Sequence, residues 1–195
     1  MGENIINNKS LSIRVCSNGL SFCTYAPGSD VPFDYVTFDV NHTISLAANL
    51  KKALLTEPVL KADYQRVNVL ITTPRFTTVP VAAFNKDDVN DMYGFAFPKD
   101  KAQHVSYNVL RRSGIAIVFG MDKNIYQLLL DDFPRARFYA SASTLIEFFS
   151  EKSLIGVGKN MYAYLHEKEM TLYAFDQGRM LFVNTFAVST VNDMQ

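Results

Sequence analysis

The sequence predicts an α/β protein built from two related units in tandem. Three observations carry that reading. Stretches near the two ends of the chain each read as a hairpin followed by a third strand. Between them, amphipathic helices alternate with short, almost wholly apolar strands. The two meanders also exclude a simple alternation of strand and helix. Composition supplies the material: 48% of the 195 residues are hydrophobic and 19% are charged, enough for a sizeable core and far from a disordered chain.

The first residues, Met1 to Lys9, are polar and asparagine-rich, with no apolar stretch like that of a signal peptide. Leu11, Ile13 and Val15 then alternate with Ser12, Arg14 and Cys16, and Asn18-Gly19 reads as a two-residue turn. The return strand runs from Leu20 to Ala26, so that Val15 faces Phe22 and Ile13 faces Thr24. Phe33 to Val40 completes a meander. A helix follows, capped by Asn41 or Thr43, with Leu46, Leu50, Ala53 and Leu54 on one face and Pro58 at its limit.

Val67 to Thr73, closed by Pro74, has the apolar run of a strand covered on both faces, and Ile115 to Phe119 has the same look. Residues 75–112 read as an insertion packed on the sheet. It holds an apolar run, Phe76 to Phe84, interrupted by Pro80, then a short helix near Asp87 to Tyr93 and a strand from Val105 to Leu110. Next come a helix capped by Asp122, with Ile125, Leu128 and Leu129 inward, and a strand from Arg137 to Ala140. In the last helix Thr144 and Glu147 form a capping box, and Leu145, Ile146, Phe148 and Phe149 supply the apolar face.

The tail repeats the opening. Met161 to His166 turns near Glu167-Lys168 into Met170 to Phe175, and a Gln177-Gly178 turn leads to Met180 to Val188. Residues 1–155 are expected to form the first unit, and residues 156–195 an incomplete second one. Leu172, Val183 and Phe186 are expected on one side of the tail sheet, with Tyr162, Tyr173 and Phe182 on the other. Both faces then carry apolar side chains and need cover. A helix beginning around Ser189 to Asp193 would provide it, so the chain is expected to stop inside its second unit.

Several functional classes are excluded at this level. Lys plus Arg (19) equals Asp plus Glu (19), which leaves no basic surplus for a nucleic-acid backbone. Two cysteines do not make a disulfide-stapled domain. No apolar run approaches the ~18 residues of a membrane helix. The expectation is a cytoplasmic protein with no nucleic-acid partner and no membrane insertion.

The element order, together with Thr77-Thr78-Val79-Pro80-Val81-Ala82-Ala83-Phe84 and the wider stretch Val67 to Phe97, resembles a bacterial family of unknown function with an actin-like ATPase fold. Its broader kin are the ribonuclease-H-like units of actin, heat-shock-70 chaperones and sugar kinases. The layout also resembles that of the actin-like proteins of bacterial cell division and type IV pilus assembly. In active members of that superfamily each hairpin carries an Asp-x-Gly type turn, which serves the metal and the phosphates. Here the first hairpin reads Arg14-Val15-Cys16-Ser17-Asn18-Gly19, without an acidic residue. The second reads Leu165-His166-Glu167-Lys168-Glu169-Met170, without a glycine. The resemblance therefore implies the fold with both phosphate loops degenerate.

Chemistry-bearing residues are scattered elsewhere. Gly156-Val157-Gly158-Lys159-Asn160 lacks the first glycine and the final Ser or Thr of a P-loop, and reads as a linker with a glycine hinge. His42, His104 and His166 stand apart from one another and from cysteine, and His42 and His166 read as solvated. Cys16 and Cys23 are expected to be free thiols, diagonal across the hairpin with Cys16 opposite Ser21. Asp131-Asp132 and Asp87-Asp88 mark helix ends, and Asp39 is the only carboxylate placed at a strand end for a nuclease. Asn8-Lys9-Ser10 and Asn41-His42-Thr43 are chance sequons without an export signal, and Met1-Gly2 lacks the Ser or Thr wanted at Asn7 for acylation. Tyr162, Tyr164 and Tyr173 are candidates for an incompletely covered sheet face. No catalytic, cofactor-binding or metal-ligating residue is nominated, and no cofactor is expected. The expected function is a non-catalytic, actin-like scaffold that engages an unknown protein partner or itself. The alternatives are a divergent nucleotide-binding ATPase or kinase and a ribonuclease-H-like nuclease using Asp39.

Overall fold

The computed structural model describes residues 9–100, 104–155 and 157–188. The chain opens with β1 (Ser10–Cys16), β2 (Gly19–Tyr25), β3 (Phe33–Phe38), α1 (Leu46–Thr56) and β4 (Arg66–Ile71). β5 (Phe76–Pro80), α2 (Val89–Ala96), β6 (His104–Leu110) and β7 (Ile115–Met121) follow. Then come α3 (Lys123–Asp132), β8 (Arg137–Ala140) and α4 (Ser141–Ser153). The end is β9 (Lys159–His166), β10 (Glu169–Asp176) and β11 (Arg179–Ala187). Expectations that rest on Met1-Gly2, Gly156 and Ser189 to Asp193 lie outside the described residues.

The main sheet has the order β3-β2-β1-β4-β8, with β1 antiparallel to β2 and parallel to β4. The Leu11, Ile13, Val15 and Phe22 face packs on Leu50, Ala53 and Leu54 of α1 and on Ile125 and Leu129 of α3, in one continuous core. Ser45, not Asn41 or Thr43, caps α1 by accepting from the Ala48 amide. Asn41 is instead held through its backbone, which bonds in both directions with the side chain of buried Asn49 (2.7 and 2.9 Å). On β4 only Val67, Val69 and Ile71 are buried, while Asn68 and Leu70 are half-buried, so this strand is fully covered on one face and not on two.

The first hairpin turns one residue earlier than expected. Ser17-Asn18 form the turn, so Cys16 pairs with Gly19, Val15 with Leu20 and Ile13 with Phe22. Each partner slides by two positions, which leaves every side chain on its expected face. Gly19 serves close packing: a Cβ there would stand 3.3 Å from Cys16 Sγ. Cys23 pairs with Ser12, four positions and about 13 Å along the strand from Cys16, and both thiols are free.

The inserted segment contributes β5 and β6 to a separate antiparallel sheet, β5-β7-β6, which also takes in β7 beyond the expected limit at residue 112. β7 is its centre and is buried from Ala116 to Met121, as its apolar run predicts. α3 starts at Asp122, whose side chain accepts from the Asn124 and Ile125 amides. α4 starts at Ser141, ahead of the expected capping box, and Thr144 donates back to the Ser141 carbonyl. Buried Asn108 of β6 secures this start instead. It accepts from the Ala140 amide (2.9 Å) and the Ser143 hydroxyl (2.8 Å), and donates to the Phe138 carbonyl (2.8 Å).

β9, β10 and β11 form the third sheet, covered on one face by α4. Phe149 stacks on Tyr162 at 4.5 Å and tilts against Tyr173, whereas Phe148 faces outward. The tip of the β10–β11 hairpin docks on the end of α4, where Ser150 donates to the Gly178 carbonyl and the Gly178 amide donates to Ser153. An irregularity at Ala174/Phe175 shifts the β11 register, pairing Tyr173 with Val183 and Ala174 with Phe182. Val183 therefore packs inward and Phe182 outward, the reverse of the expected sides. Tyr162, Tyr164 and Tyr173 lie on the covered face, and the incompletely covered face is the other one.

Candidate functional site

The β1–β2 and β9–β10 turns meet at the mouth of a cleft of about 420 Å³. Its lining includes Cys16, Thr72, Arg75, Asp122, His166 and Glu169. The parallel pairing of β1 with β4 brings Thr72 there, because its amide continues the ladder to the Val15 carbonyl at 2.8 Å. Asp122 arrives as the cap of α3. His166 and Glu167 arrive at the tight turn after β9, where Glu167 takes a positive φ of 56°, a conformation that favours glycine or asparagine.

Side chains join the two turns directly. Ser17 Oγ donates to Glu167 Oε2 at 2.6 Å. Arg14 Nη2 lies 3.0 Å from both ring nitrogens of His166, and Arg14 Nε donates to Thr72 Oγ1. His166 Nε2 is 3.0 Å from Glu167 Oε1. Ligand atoms of Cys16, His166 and Glu167 all lie within 4.8 Å of one another. On the opposite wall Asp100 pairs with Arg75 and accepts from the Tyr93 hydroxyl.

Burial sets the protonation of these groups. It raises the Cys16 thiol, partly offset by the Arg14 charge and reinforced by Glu167. It lowers His166, an effect that Arg14 strengthens and Glu167 opposes, so the imidazole is held neutral. It raises Glu169, with the neighbouring Glu167 adding to the shift. Burial, and then Asp100, push the Tyr93 hydroxyl far up.

The amides at the start of α3, the usual anion site of a helix, are occupied by Asp122 Oδ1 at 2.7 and 3.1 Å. The carboxylates of Asp122, Glu167 and Glu169 and the guanidinium of Arg75 line the same cleft. A divalent cation would meet thiol, imidazole and carboxylate donors.

The remaining sequence candidates fall elsewhere. His42 is exposed, and His104 stacks on Tyr126 at 3.6 Å. Asp39 is exposed beyond β3 and does not line the cleft. Asp87, Asp88, Asp131 and Asp132 are exposed at helix ends. Gly158 takes a positive φ of 93°. His166 departs from its expected solvated place, because it is only 20% exposed and faces Cys16 and Arg14. Arg14, Ser17 and Thr72 carried no sequence signal, since their partners lie 152, 150 and 58 residues away.

The chain is similar to a crystal structure from Bacteroides thetaiotaomicron VPI-5482, described as a protein with actin-like ATPase fold and unknown function. Identity is 33%, coverage is 96% of this chain and 73% of that one, and the TM-score is 0.87. It is also similar to the type II variant of the Aquifex aeolicus Ppx/GppA phosphatase, at 8% identity over 94% of this chain and 53% of that one, with a TM-score of 0.49. A chain of the PilM-PilN type IV pilus biogenesis complex matches at 8% identity over 92% of this chain and 62% of its own, with a TM-score of 0.47. No curated protein matches. The actin-like fold expected from element order is thus the fold observed. Residues 3–195 match the family described as protein of unknown function (DUF3822), and the chain belongs to that family.

Proposed function

We propose that this chain is a non-catalytic, cytoplasmic actin-like module that works by binding a protein partner or a second copy of itself. One observation carries the reading: the two hairpin turns that would cradle phosphates in active relatives of the fold are tied to each other by Ser17–Glu167 and Arg14–His166. Glu167 occupies, at a strained φ, a turn that phosphates need lined with amides and glycine. We also read residues 1–155 as one α/β unit and residues 156–195 as belonging to a second, related unit. The outer face of the β9–β11 sheet, with Met161, Leu165, Phe182 and Phe186 exposed, offers apolar area for an interaction.

The competing reading, a divergent nucleotide site, draws on the open cleft beside those turns. A thermal melt with ATP and magnesium separates them. A ligand at 100 times its Kd adds about 2.7 kcal/mol, which is a shift of several degrees in a chain of this size. No shift is expected. A saturable rise with millimolar ATP overturns the non-catalytic reading.

A further inference from the structure

We infer that Cys16, His166 and Glu167 form a binding site for a zinc-class divalent metal ion that clips the two hairpins together. The three residues come from turns 150 positions apart in sequence, which is why no ligand-spacing motif announces them. Their donor atoms lie within 4.8 Å of one another. Zinc bonds of about 2.0–2.3 Å put tetrahedral ligand atoms about 3.3–3.8 Å apart, so the set closes by about 1 Å on binding. Small side-chain rotations at two turns supply that.

The donor set points to the ion. Thiolate, imidazole and carboxylate together select zinc, cobalt or a similar borderline ion over magnesium or calcium, which prefer oxygen alone. Three protein ligands leave a fourth position toward the cleft, where Glu169 and Asp122 stand and where water or a partner's donor can complete the shell. The Glu167 oxygen left free by Ser17 is the one facing His166 Nε2, so the carboxylate has a ligating atom available while its other oxygen stays anchored. Binding replaces the Cys16 S–H bond by a sulfur–metal bond and releases one proton to solvent, with no change of oxidation state.

Arg14 is the built-in competitor. Its guanidinium sits 3.0 Å from both imidazole nitrogens, and metal binding must displace it from one of them. Removing that charge should therefore strengthen the site, a result that a merely structural Cys–His–Glu cluster does not predict. The site is independent of the non-catalytic reading above, since an ion can clip the hairpins whether or not nucleotide binds.

The test uses the full chain, stripped with a chelator and titrated with cobalt(II) and then zinc. One equivalent of cobalt should raise a near-ultraviolet thiolate-to-metal charge-transfer band and visible bands of four-coordinate geometry, and zinc should remove both. Cys16→Ser should abolish the charge-transfer band, while Cys23→Ser leaves it unchanged. His166→Ala should weaken binding at least about tenfold, and Arg14→Gln should tighten it. Circular dichroism confirms that each variant is folded. The proposal is overturned if saturating cobalt gives no thiolate band, if the band survives Cys16→Ser, or if Arg14→Gln weakens binding. An ATP-dependent thermal shift accompanied by a normal cobalt titration would remove the non-catalytic reading and leave this site standing.

Discussion

The two meanders of this chain share a topology and differ in their second faces. Each is a three-stranded antiparallel sheet with one apolar face packed on helices: β1–β3 on α1 and α3, β9–β11 on α4. Across the first sheet the other face pairs Ser12 with Cys23 and Arg14 with Ser21, and exposes Tyr25, Phe33 and Tyr35 toward its β3 edge. Across the second it aligns Met161, Ala174 and Phe182 in one row and Leu165, Met170 and Phe186 in another. β1 also continues into β4 and β8, while β9 and β11 are both edges. The same strand pattern thus confines exposed aromatic side chains to the β3 edge in one place and, among the described residues, leaves apolar rows exposed across all three strands in the other. Connectivity is shared, and side-chain chemistry on the second face decides which outcome follows.

The sharpest way to break this comparison is through the covered faces, which should respond alike. Phe22 and Phe175 are both fully buried, one in each sheet. Phe22→Ala and Phe175→Ala should each cost about 3–5 kcal/mol in denaturant unfolding. A small loss for Phe175→Ala alone would mean that the β9–β11 sheet is a separate, weakly coupled layer. The single core to which both residues contribute argues otherwise.

A buried asparagine holds a helix start in each half, and these should differ. Asn49 bonds to the backbone of its own half at Asn41, whereas Asn108 joins the inserted sheet to β8 and α4. Asn108→Ala leaves the Phe138 carbonyl and the Ala140 amide without a partner, at a cost of about 1–3 kcal/mol each. Calorimetry should show a larger drop for Asn108→Ala than for Ser45→Ala, an exposed cap worth about 1 kcal/mol.

Local chemistry in the sequence predicted its elements well. The strand and helix order, the Asp122 cap and the Gln177-Gly178 turn all follow from short-range rules, because their partners lie within a few residues. What was misread depends on distant neighbours. Asn18-Gly19 is a strong turn signal, yet the turn sits at Ser17-Asn18, in a register that sets Gly19 opposite Cys16 and close to its Sγ. The Thr144/Glu147 pair has capping-box spacing, but Asn108, 35 residues from Ser143, secures that helix start. The candidate site was invisible for the same reason: Cys16 and His166 meet only after the second hairpin folds onto the first.

Acidification should weaken both regions gently. His104, stacked on Tyr126, is depressed below its ordinary value of 6.5 by burial and then by Lys123, and His166 is depressed by burial and then Arg14. The unfolded chain therefore takes up these protons near pH 6.5, while the folded chain resists until lower pH. This stability is fully present above 6.5 and is lost as pH falls through the depressed folded values. Glu169, raised in the folded state, acts with the opposite sign at more acidic pH. His104→Phe keeps the ring contact and should flatten one part of the slope. His166→Gln should flatten the other. An unchanged slope in both variants would show that neither histidine is held neutral.

The smallest effect on stability should come from the face that separates the two meanders. Met161 is 67% exposed, Leu165 55%, and Phe182 and Phe186 41% each, so the folded chain gains little from their apolar groups. Exposed substitutions usually change stability by no more than about 0.5 kcal/mol each. Threonine brings a β-branched shape that strands favour. Met161→Thr, Leu165→Thr and Phe186→Thr combined should leave the unfolding midpoint nearly unchanged. The same variant should lose most of the wild type's binding of an apolar fluorescent dye and any concentration-dependent light scattering, because a contiguous apolar patch drives both. A substitution on the polar part of the first sheet's other face, Ser12→Thr, should alter neither readout. If the triple variant loses several kcal/mol, those side chains are covered in the native state. The two sheets would then differ in what covers them, and not in whether they are covered.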